Sequence, residues 1–243
     1  GVGKLGIVGL PQRQSDIVEP LALHPLRQFL DRLGHDVLGE HAAQGVVAGA
    51  IERGVQEAVH FELGGHFLDE RNRLKTAGAQ DAFVPGEAAA FLLLCRTAEL
   101  AEAVGAHPVQ IAAPAWGESP AHWYNEEPDS GETLHKVMQL AIANGKKLTG
   151  NPQLRVDHVM SSMNGESFWA KEYGVAVTRL SDEFMEDFTL LHPFEFTGDL
   201  GCVSGLFLLA QGVCRITEKK SAFPLVYASS DNAWRAAVCL LKP

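Results

Sequence analysis

The strongest constraint on how this chain folds is the way two hydrophobic periods alternate along its 243 residues. Short apolar runs read as strands at residues 4–10, 55–63, 87–95, 109–116 and 155–160. Two more, at 224–228 and 236–241, flank a turn at 229–234. Between them, apolar residues fall at helical spacing over 20–33, 41–53, 96–104, 132–143, 166–179 and 200–213. Asp129 or Ser130 caps the 132–143 helix and Gly145 stops it, while Thr197 and Asp199 are the capping candidates before 200–213. The many Ala and Gly residues of 41–53 suit a helix packed close to a neighbour. Strand and helix in alternation predict an α/β fold with a largely parallel sheet covered by helices.

Charge and cysteine content narrow the function classes. Twenty basic residues against thirty acidic ones leave a net charge of −10. That balance argues against a nucleic-acid binder and against attraction to anionic membranes. The longest apolar run, 88–95, is far too short to span a bilayer. Cys95, Cys202, Cys214 and Cys239 lack C-x-x-C spacing and read as reduced thiols, so a cytoplasmic location is expected. No metal or cofactor is expected.

General motifs carry little. Gly1, Gly3 and Gly6 spell G-x-G-x-x-G, but a strand follows where a dinucleotide site needs a helix. His60, Glu62 and His66 lack the tighter spacing or cysteine partner of a metal site. Trp116, Trp123 and Tyr124 read as a loop pinned to the body by its aromatics. Cys202 falls in the first turn of a predicted helix, where the dipole favours a thiolate, but its apolar neighbours Leu200 and Val203 favour a core thiol.

Three segments are specific as a set. They are Arg73-Leu74-Lys75 with 83–94 (FVPGEAAAFLLL), 197–205 (TGDLGCVSG) and 229–237 (SSDNAWRAA). In order and spacing they resemble the β-ketoacyl-acyl carrier protein synthase family, over roughly residues 36 to 243. The first is similar to that family's Gly-Glu-Gly element and following strand, the second to its Gly-His-x-x-Gly-Ala-Ala-Gly stretch, and the third to its Asn-containing loop before the last strand. The resemblance implies a thiolase-like, layered α/β/α/β/α fold, here with a truncated first half: residues 1–105 form a partial N-terminal half and 106–243 the C-terminal half. It makes Gly86, Glu87, Gly198, Gly201 and Gly205 retained scaffold, with Glu87 a buried structural carboxylate.

The same resemblance shows what is missing. The family's cysteine nucleophile would stand just before 41–53, where the chain reads Gly39-Glu40-His41-Ala42-Ala43. A serine of the pair Ser161-Ser162 stands at or near its first histidine, in a run continuing to Asn164 and Glu166. The second histidine falls on Asp199, and the lysine that precedes it falls on Phe194. Condensation needs a thiolate to hold the acyl group and donors against a developing oxyanion. A carboxylate at Asp199 repels that charge, although it suits a helix cap. The resemblance therefore implies a synthase-like protein without condensing activity, acting as a binding or structural partner. The alternative is an active 3-oxoacyl synthase or acyltransferase with relocated chemistry at His41, Ser161, Asn164, Asp199 or Cys202; another is a subunit completing a larger synthase. An acyl carrier protein or acyl thioester is the expected partner. A homodimer or hetero-oligomer is expected to cover strands left open by a short first half.

Overall fold

Trp234–Leu241 organises the tertiary structure, because both of its faces are buried along almost its whole length. In the computed structural model, which describes residues 4–6, 40–42, 45–52, 81–95, 97–103, 107–123, 125 and 128–242, this strand is β10. The preceding strands are β1 (Lys4–Gly6), β2 (Glu40–Ala42), β3 (Gly45–Glu52), β4 (Ala88–Cys95), β5 (Val109–Ile111), β6 (Ala115–Glu118), β7 (Val156–Ser161), β8 (Phe184–Leu191) and β9 (Pro224–Ser229). The helices are α1 (Ala98–Ala103), α2 (Glu132–Thr149), α3 (Ser167–Arg179), α4 (Phe194–Thr197) and α5 (Ser204–Thr217), the last entered through a 3-10 turn at Gly201–Val203.

Hydrogen-bonded strands follow the order β2-β3-β4-β1-β5-β10-β9-β7-β8, with β6 pairing β10 beside this path. The path bends around α5, which packs on β9 and β7 from one side and on β4 and β5 from the other. Alternate residues of β10 divide between two cores. Ala236, Val238 and Leu240 face α5 with Leu208, Leu209 and Val213. Ala237, Cys239 and Leu241 face α2 and α3 with Met138, Ile142 and Tyr173. On the far side, α1 packs on β4 and β1, where Ala101 meets Cys95 and Leu93. Helix, sheet, helix, sheet, helix: the described residues form the expected five layers.

Several local expectations are corrected. The sheet is mixed and mostly antiparallel; among the described strands only the β7–β8 and β7–β9 pairs are parallel. Short connections such as 230–233 can only reverse the chain, whereas parallel neighbours need a long crossover. The segment expected to be a helix at 41–53 is instead β2 and β3, and β3 pairs with all eight residues of β4. Val46, Val47 and Ile51 are stiff at χ1 and Gly45 and Gly49 are poor helix formers, so the ladder prevails. The single strand expected at 109–116 is two, β5 and β6, each pairing a different part of β10. An edge strand with exposed residues along much of its length, β8, adds to the expected elements.

Helix α2 does not stop at Gly145 but continues to Thr149 and ends on Gly150 in the left-handed region, φ 66°. Gly145 serves contact: a Cβ there would lie 2.5 Å from Phe223 Cε2 and 3.1 Å from Cys239 Cβ, so its absence lets α2 lie close on the sheet. At the other end Gly131, not Asp129 or Ser130, is the cap residue, and Asp129 Oδ1 accepts its N–H at 2.7 Å. The segments expected at 7–10, 20–33 and 55–63, together with Arg73-Leu74-Lys75, His60, Glu62, His66, Gly1, Gly3 and Tyr124, lie outside the described residues. No helix of the described residues is long and apolar enough to cross a membrane.

Candidate functional site

Three loops converge where the resemblance places a catalytic pocket: 81–87 before β4, 162–166 after β7, and 198–203 before α5. The first and third are clasped by their backbones. Asp199 N–H donates to the Val84 carbonyl at 2.7 Å, and Gly86 N–H donates to the Asp199 carbonyl at 2.7 Å, forming an isolated parallel bridge between Pro85 and Asp199. The two glycines touch. A Cβ on Gly198 would stand 2.8 Å from Gly86 Cα and N, and one on Gly86 would stand 2.7 Å from the Thr197 carbonyl oxygen. Gly198 also takes φ 83°, ψ 163°, a region almost closed to other residues.

Asp199 joins the second loop to this clasp. Its Oδ2 accepts Asn164 Nδ2–H at 2.7 Å and its Oδ1 accepts Gly201 N–H at 2.9 Å. The same Asn164 amide nitrogen donates to Glu166 Oε2 at 3.0 Å, and Trp169 Nε1–H donates to that oxygen at 3.1 Å. One amide group thus bridges two carboxylates, and Glu166 is 1% exposed. Desolvation, the largest influence, raises the Asp199 pKa above the ordinary aspartate range; the Asn164 and Gly201 hydrogen bonds pull it down, and nearby Asp231 and Glu166 push it up. Asp81 ties the first loop to the second by accepting Ser167 N–H at 2.6 Å, which satisfies an open donor at the start of α3.

Of the other candidates, Ser161, Ser162 and Cys202 lie on or beside these loops, and His41 lies on β2. Ser161 is fully buried in contact with Tyr227, their hydroxyls 2.6 Å apart, and also accepts Met163 N–H at 3.1 Å. Ser162 Oγ accepts Ser229 N–H at 3.0 Å, which fastens the loop to β9. Cys202 lies half-buried in the 3-10 turn rather than in the first turn of α5, packed against the core. His41 belongs to β2, opposite Val46 in the β2–β3 hairpin. Phe194, where the resemblance places the family's lysine, is a core residue beside Phe207. Gly201 adopts φ 53°, and Gly205 is buried within α5.

Glu87 requires correction: it is exposed, not a buried carboxylate. Gly86 turns inward onto Gly198, so in extended chain the next side chain points the other way. Besides Glu166, a second buried carboxylate braces this region: Glu172, 1% exposed, accepts from Arg235 Nε and, at 2.8 Å, from Ser229 Oγ. Arg235 has no exposed surface; it lies 5.2 Å over the Trp169 ring and 3.6 Å from Asp129 Oδ2, and its Nη1 donates to the Ser230 carbonyl at 2.9 Å. Desolvation pushes the Glu172 carboxyl up to about 7, although Arg235 acts to lower it. The run from Ser161 already pointed to Glu172, but its pairing with Arg235 was missed at the level of sequence. The signal was a lone arginine at the head of an otherwise apolar strand, since a buried charge requires a partner.

The aromatic loop is pinned as expected, with Trp123 edge-on to Phe168 at 5.5 Å. Among the described residues, no group of three His, Cys, Asp or Glu side chains is placed to hold a metal ion. All four cysteines are free.

No protein-family model matches the chain, and no curated protein matches it. Solved structures do. A complex of a type II polyketide synthase acyl-carrier protein with its ketosynthase matches with TM-score 0.65 and 14% identity, over 83% of this chain and 57% of that one. The ishigamide ketosynthase/chain length factor matches with TM-score 0.63 and 13% identity, over 83% and 54%. A β-ketoacyl synthase from Burkholderia phymatum matches with TM-score 0.61 and 16% identity, over 83% and 55%. The chain therefore spans a little over half the length of these proteins. With five layers in place and these structures superposing on most of the chain, the protein has the thiolase-like fold of the ketosynthases.

Proposed function

We propose that this chain is a ketosynthase-like protein that does not condense acyl groups and serves instead as a binding or structural partner in acyl-chain assembly. The observation that carries the reading is Asp199. At the position the resemblance assigns to a catalytic histidine, a carboxylate is held by Asn164 and by the Gly201 backbone. A histidine there would donate to a forming oxyanion; Asp199 accepts hydrogen bonds and has acidic neighbours in Glu166 and Asp231. The groups that could replace it are engaged elsewhere, Ser161 with Tyr227 and Ser162 with Ser229.

The partner role draws on the similar structures, one holding an acyl-carrier protein with its ketosynthase and another described as a ketosynthase/chain length factor. An acyl carrier protein, or a catalytic ketosynthase chain, is accordingly the proposed partner. The test is incubation with an acylated carrier protein and a malonyl donor, followed by product analysis and intact-protein mass spectrometry. Neither a condensation product nor a covalent acyl adduct is expected. Turnover that disappears in Cys202→Ala or Ser162→Ala would instead establish relocated chemistry.

A further inference from the structure

A second feature lies at the far end of α5, away from the three loops. There the chain leaves the helix through Lys219 in the left-handed region, φ 59°. Lys219 N–H bonds the Ile216 carbonyl at 3.0 Å and Lys220 N–H the Arg215 carbonyl at 2.9 Å, the double bond of a Schellman turn that usually has glycine at this place. Beside the turn is a shallow, open pocket of about 380 Å³ lined by Asp157, Ile216, Lys219, Lys220, Ser221, Ala222 and Lys242.

We propose that this pocket binds a small phosphorylated molecule, a phosphate monoester or diphosphate, through the ammonium groups of Lys219, Lys220 and Lys242. Three lysines share one pocket in a chain where acidic residues outnumber basic ones thirty to twenty. Lys219 and Lys242 form no ion pair among the described residues. Lys220 pairs with Glu218 at 2.8 Å with both side chains more than half exposed, a pairing that a dianion displaces readily. The one carboxylate lining the pocket, Asp157, is committed to the chain behind it. Its Oδ2 accepts Ala222 N–H at 2.6 Å and Phe223 N–H at 3.2 Å, and its Oδ1 accepts from Ser221 Oγ and lies 3.3 Å from His158 Nδ1. Lys219 and Lys220 also suit the negative end of a helix, but Lys242 serves no helix and is brought there by β10. Charge-assisted bonds from several ammoniums suit a dianion better than a single carboxylate.

The test is isothermal titration of the whole chain with inorganic pyrophosphate and with 2-glycerophosphate, at about 0.1 M sodium chloride so that diffuse attraction is screened. Saturable binding is expected. The Lys219→Ala/Lys242→Ala variant is expected to bind about tenfold more weakly with an unchanged melting temperature, since both side chains are exposed. Absence of saturation at millimolar ligand, or equal affinity in the double variant, overturns the proposal. The condensation assay reports on a different part of the molecule, so the two readings fail independently.

Discussion

Replacing Gly198 with alanine tests the clasp that brings the site together. Two costs can be worked from the geometry. The backbone at φ 83°, ψ 163° disfavours any L side chain, at about 1–3 kcal/mol. The new methyl would also lie 2.8 Å from Gly86 Cα and N and 2.9 Å from the Pro85 carbonyl carbon, roughly half an ångström inside ordinary contact. These are backbone atoms, so no rotamer change relieves the overlap, and overpacking of this kind costs about 1–3 kcal/mol. The expected loss is about 2–6 kcal/mol, read as a lower midpoint in urea denaturation followed by circular dichroism at unchanged slope. Gly86→Ala strains the same contact from the other side, at 2.7 Å from the Thr197 carbonyl oxygen. One separation of the two loops relieves both methyls, so the double variant should cost less than the sum of the singles. Gly174→Ala, on α3 with no atom near its missing Cβ, is the control and should stabilise by about 0.5–1 kcal/mol. A Gly198→Ala protein within about 1 kcal/mol of the parent would show that the loops are not held by this glycine pair.

Three further outcomes follow from the braces around the site. Arg235→Ala removes a fully buried cation that serves Glu172 and the carbonyls of Ser230 and Ala121, and should cost about 3–5 kcal/mol in the same unfolding assay. Glu172 takes up its proton near pH 7 in the fold against an ordinary 4.5, so its contribution to stability is full below 4.5 and is lost as pH rises through 7. The free energy of unfolding should fall between pH 5 and pH 8 by an amount on the order of 1–3 kcal/mol, and Glu172→Gln should flatten that part of the profile; a parent profile that rises over this range would refute the assignment. Glu87→Ala should change stability by less than about 0.5 kcal/mol, because the side chain is exposed; a loss of several kcal/mol would restore it as a buried brace.

Local signals located most of the elements but not their partners. The amphipathic spacing of Leu134, Val137, Met138, Ala141 and Ile142 is the buried stripe of α2, and the continuous run Trp234–Leu241 is the twice-buried β10. Glycine as punctuation misled at Gly145, because a glycine that ends a helix and one that lets a helix touch a sheet are the same letter. The 45–52 segment misled for a related reason: small residues suit close packing in either period, and only the ladder to β4 selects the strand. At the site, the motif 197–205 identified the loop that holds Asp199, but not that Asn164 would bridge it to Glu166.

Residue type and order settled the α/β class of fold, and the family resemblance carried by three segments implied its layering and pointed to the loop that holds Asp199. Tertiary structure decided strand direction, the Gly86–Gly198 contact, and which carboxylates lie buried beside which donors. Those features depend on groups far apart in the chain, Asp81 with Ser167 or Glu172 with Arg235, whose pairing is set by the packing of whole layers and leaves no local period to read.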